Sequence, residues 1–325
     1  MENPAISVIM SVYNEPVNWL CQSIDSIVQQ SFSDFEFIIV CDNPSYKEGI
    51  DLLQIYAEQD KRIVILLNEE NIGLTKSLNR AISVARGGYI ARMDADDISL
   101  PQRFEKQYDY LCNHPEVTVL SSYAITFGEG IEENLRKDPV EHNHIARALP
   151  NECVMIHPAV MIRRGDFEIK YDENQKKSQD YELWLRLLSQ GAKFHTLPEV
   201  LLKYRISANQ ISTKNRGQQQ SDNRRARYIT YRRVFKESGI EEYRLSSVKG
   251  SRNAYKRLCE NGYDELKKMA LFCCFYSIPH SFSHFIQLPV CSVKFGFSFK
   301  QSVVLFLSYV TKRWDCYHIE KLSSF

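Results

Sequence analysis

The chain has 325 residues, enough for one large buried core or a core with an appendage. With 41 Lys and Arg against 40 Asp and Glu, nothing global points to nucleic acid or a strongly anionic partner, so any electrostatic preference must be local. Hydrophobic residues at 44% and charged residues at 25% argue against extensive disorder, and the nine cysteines show no C-x-x-C spacing for zinc or redox work.

The first hundred residues predict strands alternating with helices. Residues 6–12 are β-rich, and Leu20, Ile24, Ile27 and Val28 then recur at helical spacing. The continuous apolar run 35–41 suits an interior strand of a mostly parallel sheet, and a helix is expected over 47–59. A third strand over 62–67 precedes one helical face made of Leu74, Leu78, Ala81, Ile82 and Ala85, with Gly87 and Gly88 as a stop signal. Residues 89–93 form the fourth strand. This order predicts an open α/β sheet with helices on both faces and right-handed crossovers.

After Pro101 the alternation weakens: a helix over 103–112, a strand over 117–126, an exposed loop over 128–140 and a helix over 180–188. Beyond about Ser212 the composition shifts toward Arg, Gln and aromatics. That places a boundary there, with a catalytic domain over 1–212 and a mostly helical region over 213–325. The N-terminus lacks a basic stretch followed by an apolar segment, and no run reaches the roughly 18 apolar residues of a spanning helix. A cytoplasmic protein is expected. Residues 224–235 mix cations with aromatics, and 269–278 and 303–310 are locally apolar, so contact with the inner face of the membrane stays open beside an ordinary solvated face.

Ligands of such sheets sit beyond the carboxyl ends of the strands. Here those ends are polar: Tyr13 and Asn14, Asp42 and Asn43, Asn68 to Asn71, and Asp94 to Asp97. In Met93-Asp94-Ala95-Asp96-Asp97, alternate carboxylates Asp94 and Asp96 face one cleft, as Mg2+ or Mn2+ with a diphosphate would require; a solvated acidic turn is the competing reading.

Several separated segments resemble, in order, the family 2 glycosyltransferases. They are Ile6-Ser-Val-Ile-Met-Ser-Val-Tyr-Asn-Glu15, Ser26-Ile-Val-Gln-Gln-Ser-Phe32, Phe35-Glu-Phe-Ile-Ile-Val-Cys-Asp42, Asn71-Ile-Gly-Leu74 and Ala91-Arg-Met-Asp-Ala-Asp-Asp97, with His157-Pro-Ala-Val-Met161 and Gln179-Asp-Tyr-Glu-Leu-Trp-Leu-Arg186. They span roughly the first two thirds of the chain. The resemblance implies a GT-A, Rossmann-like fold with a mixed, mostly parallel sheet. It also implies a nucleotide-sugar donor, most often a UDP-sugar, a divalent cation, and inversion at the anomeric carbon of a sugar passed to a glycan or lipid-linked acceptor.

On the same basis, Tyr13, with Asn14 and Glu15, would line the base pocket and Asp42 would hydrogen-bond the base. Asn71, Gly73 and Ala95 would lie along the donor, while Lys76 reads either as a phosphate contact near the Asn71 loop or as a solvated helix residue. Asp94 would touch the ribose or a metal-bound water, Asp96 would bind the metal, and Asp180 matches the catalytic base. The family usually has Glu before that base, where this chain has Gln179. Asp180 also reads locally as the N-cap of its helix. His157, Gln179 and Trp184 fall in the acceptor or donor-sugar region; His157, before Pro158, is expected on extended chain, and Trp184 reads equally as core. Tyr204-Arg205 resembles a late Tyr-Arg pair that a histidine often follows, but Ser207 stands there.

Two rival functions share some features. A Mg2+-dependent phosphohydrolase would use Asp94 as nucleophile, although that chemistry usually sits after the first strand, and a non-catalytic nucleotide-sugar binder would be expected to lack Asp180.

Overall fold

In a computed structural model described over residues 3–149, 152–165, 167–175 and 178–207, with Asn223 and Ala226, residues 6–92 run as four strands linked by three helices. In order these are β1 (Ile6–Val12), α1 (Val17–Val28), β2 (Phe35–Cys41), α2 (Lys47–Gln59), β3 (Ile63–Leu67), α3 (Leu74–Val84) and β4 (Tyr89–Arg92). Then come β5 (Ile98–Ser99), α4 (Arg103–Asn113), β6 (Val117–Gly128), β7 (Ile131–Arg136), α5 (His142–Ala148), a 3-10 turn (His157–Ala159), β8 (Met161–Arg163), α6 (Gln179–Ser189) and β9 (Lys193–Arg205). The chain divides into two units, residues 1–146 with 154–226 and residues 147–153 with 227–325, and every strand among the described residues belongs to the first. The boundary expected near Ser212 and the tail segments at 269–278 and 303–310 lie outside the described residues, as does 224–235 apart from Ala226. Among the described residues no helix is long and apolar enough to cross a membrane.

The strands form one mixed sheet in the order β3-β2-β1-β4-β8-β6-β9-β5, with β7 paired to β6. The first four are parallel, as the crossover helices demand, while β8 runs antiparallel to both β4 and β6. The chain lays β2 and β3 on one side of β1 and returns to put β4 on its other side. That reversal opens a crevice at the carboxyl ends of β1 and β4.

Strand alternation assigns the two faces. Val8, Met10 and Val12 with Phe37, Ile39 and Cys41 join one core cluster with Leu20, Ile24 and Ile27 of α1 and Leu53 of α2. Ile9, Ile38 and Val40 point the other way, where α3 buries Leu78 and Ala81. Each fully buried aliphatic side chain stabilises the sheet by about 1.5–3 kcal/mol, which is why the unbroken apolar runs become its central strands.

Three local expectations are corrected. Gly87 and Gly88 do not end α3 in a left-handed cap: the helix stops at Ala85 in extended conformation, and neither glycine has positive φ. Gly87 instead permits close passage of β1, since a Cβ there would lie 2.6 Å from the Ser7 nitrogen. The expected loop over 128–140 contains β7, whose Glu132, Glu133, Asn134 and Leu135 are all exposed; lacking a buried face, it shows no alternation to read. And β9 was missed because Pro198 interrupts it; the register with β6 skips from Leu197 to Val200, so Pro198 and Glu199 bulge out of the ladder.

Candidate active site

Asp42, buried one residue beyond β2, fastens the neighbouring strand-end loop. Its Oδ1 accepts from Asn68 Nδ2 at 2.7 Å and from the Ile72 N–H at 2.9 Å, and its Oδ2 accepts from the Gly73 N–H at 2.8 Å. Asn71 Oδ1 takes the same Gly73 N–H at 3.0 Å, and Gly73, at φ +87°, holds a left-handed conformation that favours glycine. A carboxylate has about four acceptor positions, so roughly one on Oδ2 remains for a ligand. Lys76 is exposed in the first turn of α3, which begins immediately after this loop.

At the end of β1, Tyr13 and Asn14 are exposed. Glu15 folds back to accept the Tyr13 N–H at 2.8 Å, and the Tyr46 hydroxyl donates to the Glu15 carbonyl. Burial pushes the Glu15 carboxyl up, against its backbone hydrogen bonds and with a further contribution from the charge of Asp94. Tyr13, Asn14, Glu15 and Asp42 thus stand at the ends of adjacent strands, as expected.

The loop after β4 brings three carboxylates together: oxygens of Asp94, Asp96 and Asp97 lie within 4.8 Å of one another. Ser23 of α1 donates to the Asp94 carbonyl at 2.8 Å, and the buried Arg92 forms an ion pair with the Asp94 carboxylate. Arg205, the last residue of β9, donates its N–H to Asp97 Oδ1 at 2.7 Å and its Nε to the Asp96 carbonyl at 2.6 Å. Its guanidinium lies between the rings of Trp19 and Phe127. Asp97 is fully buried, and its Oδ2 meets no partner among the described residues. Burial, and then the charges of Asp94 and Asp96, hold its carboxyl well above the ordinary range. Alternation would point Asp97 away from Asp94 and Asp96, so the sequence reading missed it; the chain turns here instead of continuing as a strand, with the Asp97 N–H bonded to the Asp94 carbonyl. Ala95, expected along the donor, puts its methyl in the hydrophobic core instead. An oxygen-only cluster with an unpartnered buried oxygen fits a hard divalent cation, held by Asp96 and Asp94 with Asp97 behind them.

Asp180 is the second residue of α6, so the N-cap reading is set aside: Ser178, in left-handed conformation at φ 57°, occupies that position. Gln179 beside it is buried. Trp184 is also fully buried, its ring edge-on to His157 at 6.0 Å and to Phe194 at 6.5 Å. It is a core residue and no platform for a sugar. His157 opens the 3-10 turn, not an extended stretch; Ile156 before it takes up the extended geometry. Its Nε2 lies 2.7 Å from the Tyr171 hydroxyl, and burial, with the nearby charge of Arg92, holds the imidazole well below its ordinary pKa, hence neutral.

Tyr171, which carried no sequence signal, ties the two halves of the site together. The Asn79 side chain clamps its backbone in both directions, accepting its N–H at 2.8 Å and donating to its carbonyl at 2.9 Å. Burial raises the Tyr171 phenol; Arg92 opposes the shift, and the charges of Asp180 and Asp94 add to it. Both carboxylates therefore lie within electrostatic range of one buried hydroxyl. Tyr204 is likewise raised, by burial and then by Asp94, Asp97 and Asp96.

Residues 7–169, about half of the chain, match the family model described as Glycosyl transferase family 2. The chain belongs to that family. Over 209 residues it is 40% identical to an uncharacterized glycosyltransferase of Methanocaldococcus jannaschii, spanning 63% of this chain and 72% of that protein. It is 34% identical over 219 residues to the amylovoran biosynthesis glycosyltransferase AmsE of Erwinia amylovora, spanning 65% and 79%. It is 38% identical over 208 residues to the O-antigen biosynthesis glycosyltransferase WbnJ of Escherichia coli, spanning 62% and 79%. Among solved structures, S. aureus TarS 1-349 in complex with UDP-GlcNAc superposes with a TM-score of 0.56 at 16% identity, covering 89% of this chain and 80% of that one. Against a longer TarS chain the TM-score is 0.53 and the match spans about half, 48%, of that length. The fold is thus the mixed α/β, GT-A-like arrangement of these glycosyltransferases, and the phosphohydrolase alternative is set aside.

Proposed function

We propose that this glycosyltransferase inverts configuration as it moves a sugar from a UDP-sugar to a hydroxyl of a glycan or lipid-linked acceptor in surface polysaccharide assembly, using Mg2+ or Mn2+. What supports the reading is the cluster of three carboxylate side chains after β4, together with the electrostatic influence of both Asp94 and Asp180 on the buried Tyr171 hydroxyl. The UDP-GlcNAc complex of TarS supports the donor class, and the roles named for AmsE and WbnJ support the acceptor class. We place the reaction in the cytoplasm, with the region beyond residue 212 approaching the inner face of the membrane.

In this reading Tyr13 lines the base, and the remaining acceptor position of Asp42 receives a base N–H. Asn71, Gly73 and Lys76 flank the donor, and Asp94 orients its ribose side. A divalent cation at Asp96 would supply Lewis-acid stabilisation of the departing diphosphate, on the order of several kcal/mol. Asp180 takes the proton of the acceptor hydroxyl as that oxygen forms its bond to the anomeric carbon. The bond from that carbon to the diphosphate oxygen breaks, and its electron pair leaves with the nucleotide.

The test is a pair of variants. Asp180→Asn abolishes transfer and leaves donor affinity within a few fold; unchanged turnover removes Asp180 as the base. Chelation and Asp96→Ala each weaken nucleotide-sugar binding in calorimetry, and binding indifferent to both refutes the cation assignment. Thermal stabilisation by individual nucleotide sugars, with and without cation, identifies the donor.

A further inference from the structure

Arg92 is the last residue of β4, next to the acidic loop, and its side chain is 1% exposed. Its Nη2 meets the Asp94 carboxylate, whose side chain is 30% exposed, while its Nε and Nη1 are buried without an acceptor among the described residues. A buried guanidinium with most of its donors unused is a cost to the fold. Asp94 keeps contact with water. Register with Ile9 turns Arg92 toward the face opposite the α1 and α2 core, where its charge bears on His157 and Tyr171. Among the described residues, the one hydrogen bond that the Arg92 side chain makes is therefore with a carboxylate of the candidate donor site.

We propose that Arg92 is a positioning residue for the transfer reaction, acting through Asp94: it fixes that carboxylate toward the donor's ribose and diphosphate, and it is retained against the interest of stability. The inference rests on the donor-site reading above. Its test uses the full chain with Arg92→Met, close in length and without charge, and Arg92→Lys, which keeps the charge but loses the planar fork. Urea midpoints and affinity for a UDP-sugar with Mn2+ are measured for each. Arg92→Met is expected to unfold at the wild-type midpoint or above it. Its donor affinity is expected to fall about tenfold, roughly 1.4 kcal/mol, with donor KM rising more than kcat falls. Arg92→Lys is expected to recover part of that loss. A lowered midpoint, or failure of Arg92→Met to fold, overturns the proposal by making Arg92 structural; so does donor affinity equal to wild type. If wild type itself shows no cation-dependent binding, the donor-site reading fails with everything resting on it, while the midpoints, which need no ligand, still show whether the fold requires Arg92.

Discussion

Replacing Asp42 by Asn tests how the donor-side loop is held. The carboxylate receives Asn68 Nδ2 and the Ile72 N–H on Oδ1, and the Gly73 N–H on Oδ2. An amide has a single oxygen, so one of these acceptors becomes an NH2 group facing a donor. The better orientation keeps Asn68 and Ile72 and opposes Gly73, whose remaining acceptor is Asn71 Oδ1. Losing one charge-assisted bond costs about 1.5–3 kcal/mol, and converting the other two to neutral bonds adds about 0.5 kcal/mol each. With partial compensation from Asn71, the expected destabilisation of Asp42→Asn is about 2–4 kcal/mol. Equilibrium urea unfolding reads it as a lowered midpoint at unchanged slope, and amide exchange accelerates at Ile72 and Gly73. A midpoint equal to wild type, with protection at Gly73 intact, would refute the loop's dependence on this carboxylate.

Gly87→Ala is expected to lose about 2–3 kcal/mol, because its Cβ would press on the backbone of Ser7 and Ile6, which cannot yield without shifting β1. At Gly88 the added carbon meets only the Ala5 carbonyl at 3.8 Å, so Gly88→Ala stays within about 1 kcal/mol of wild type; equal losses at both positions would discredit the close-approach argument. Burial alone would raise the carboxyl of Glu36, but the Ser7 hydroxyl, the Arg86 N–H and the Arg86 guanidinium outweigh it, and its pKa is lowered. A carboxylate depressed on folding contributes stability above its unfolded value, here 4.5, and loses it as pH falls through the folded value. Wild type should therefore lose stability below pH 4.5 more steeply than Glu36→Gln, and parallel pH curves of the urea midpoint would contradict this.

The first four strands were legible because their signals are local. Each central strand is a run of apolar residues, and α1, α2 and α3 each repeat apolar residues on one face, so residues 47–59 gave α2 its observed bounds. The second half resists such reading for physical reasons. Met161–Arg163 is too short to show a period, β9 is interrupted at Pro198, and β7 has no buried face. Within the site, the acids at strand ends were visible as residue types out of place beside apolar runs. Arg92, Arg103 and Tyr171 were not: each acquires its role from partners on another element, and a buried cation leaves no periodic trace in its own segment.

Arg103 and Arg205 also explain how a chain of nearly balanced charge tolerates three carboxylates within 4.8 Å. Like charges this close, at the edge of a core, disfavour full ionisation, and Asp97, the one without water, carries that penalty. Cations approach the loop from three elements: Arg92 from β4, Arg103 from the first turn of α4, and Arg205 from the end of β9. Arg103 is fully buried, donating to the carbonyls of Arg92 at 2.8 Å and Val160 at 3.2 Å. Burial pushes its pKa down to about 9, with Asp97 opposing the shift, so it remains charged at neutral pH. Compensation thus comes from within the protein, whereas Asp94 and Asp96 keep partial exposure on the outer side. The two that still reach water are held differently: the Asp94 carboxylate pairs with Arg92, and the Asp96 backbone carbonyl accepts from Arg205.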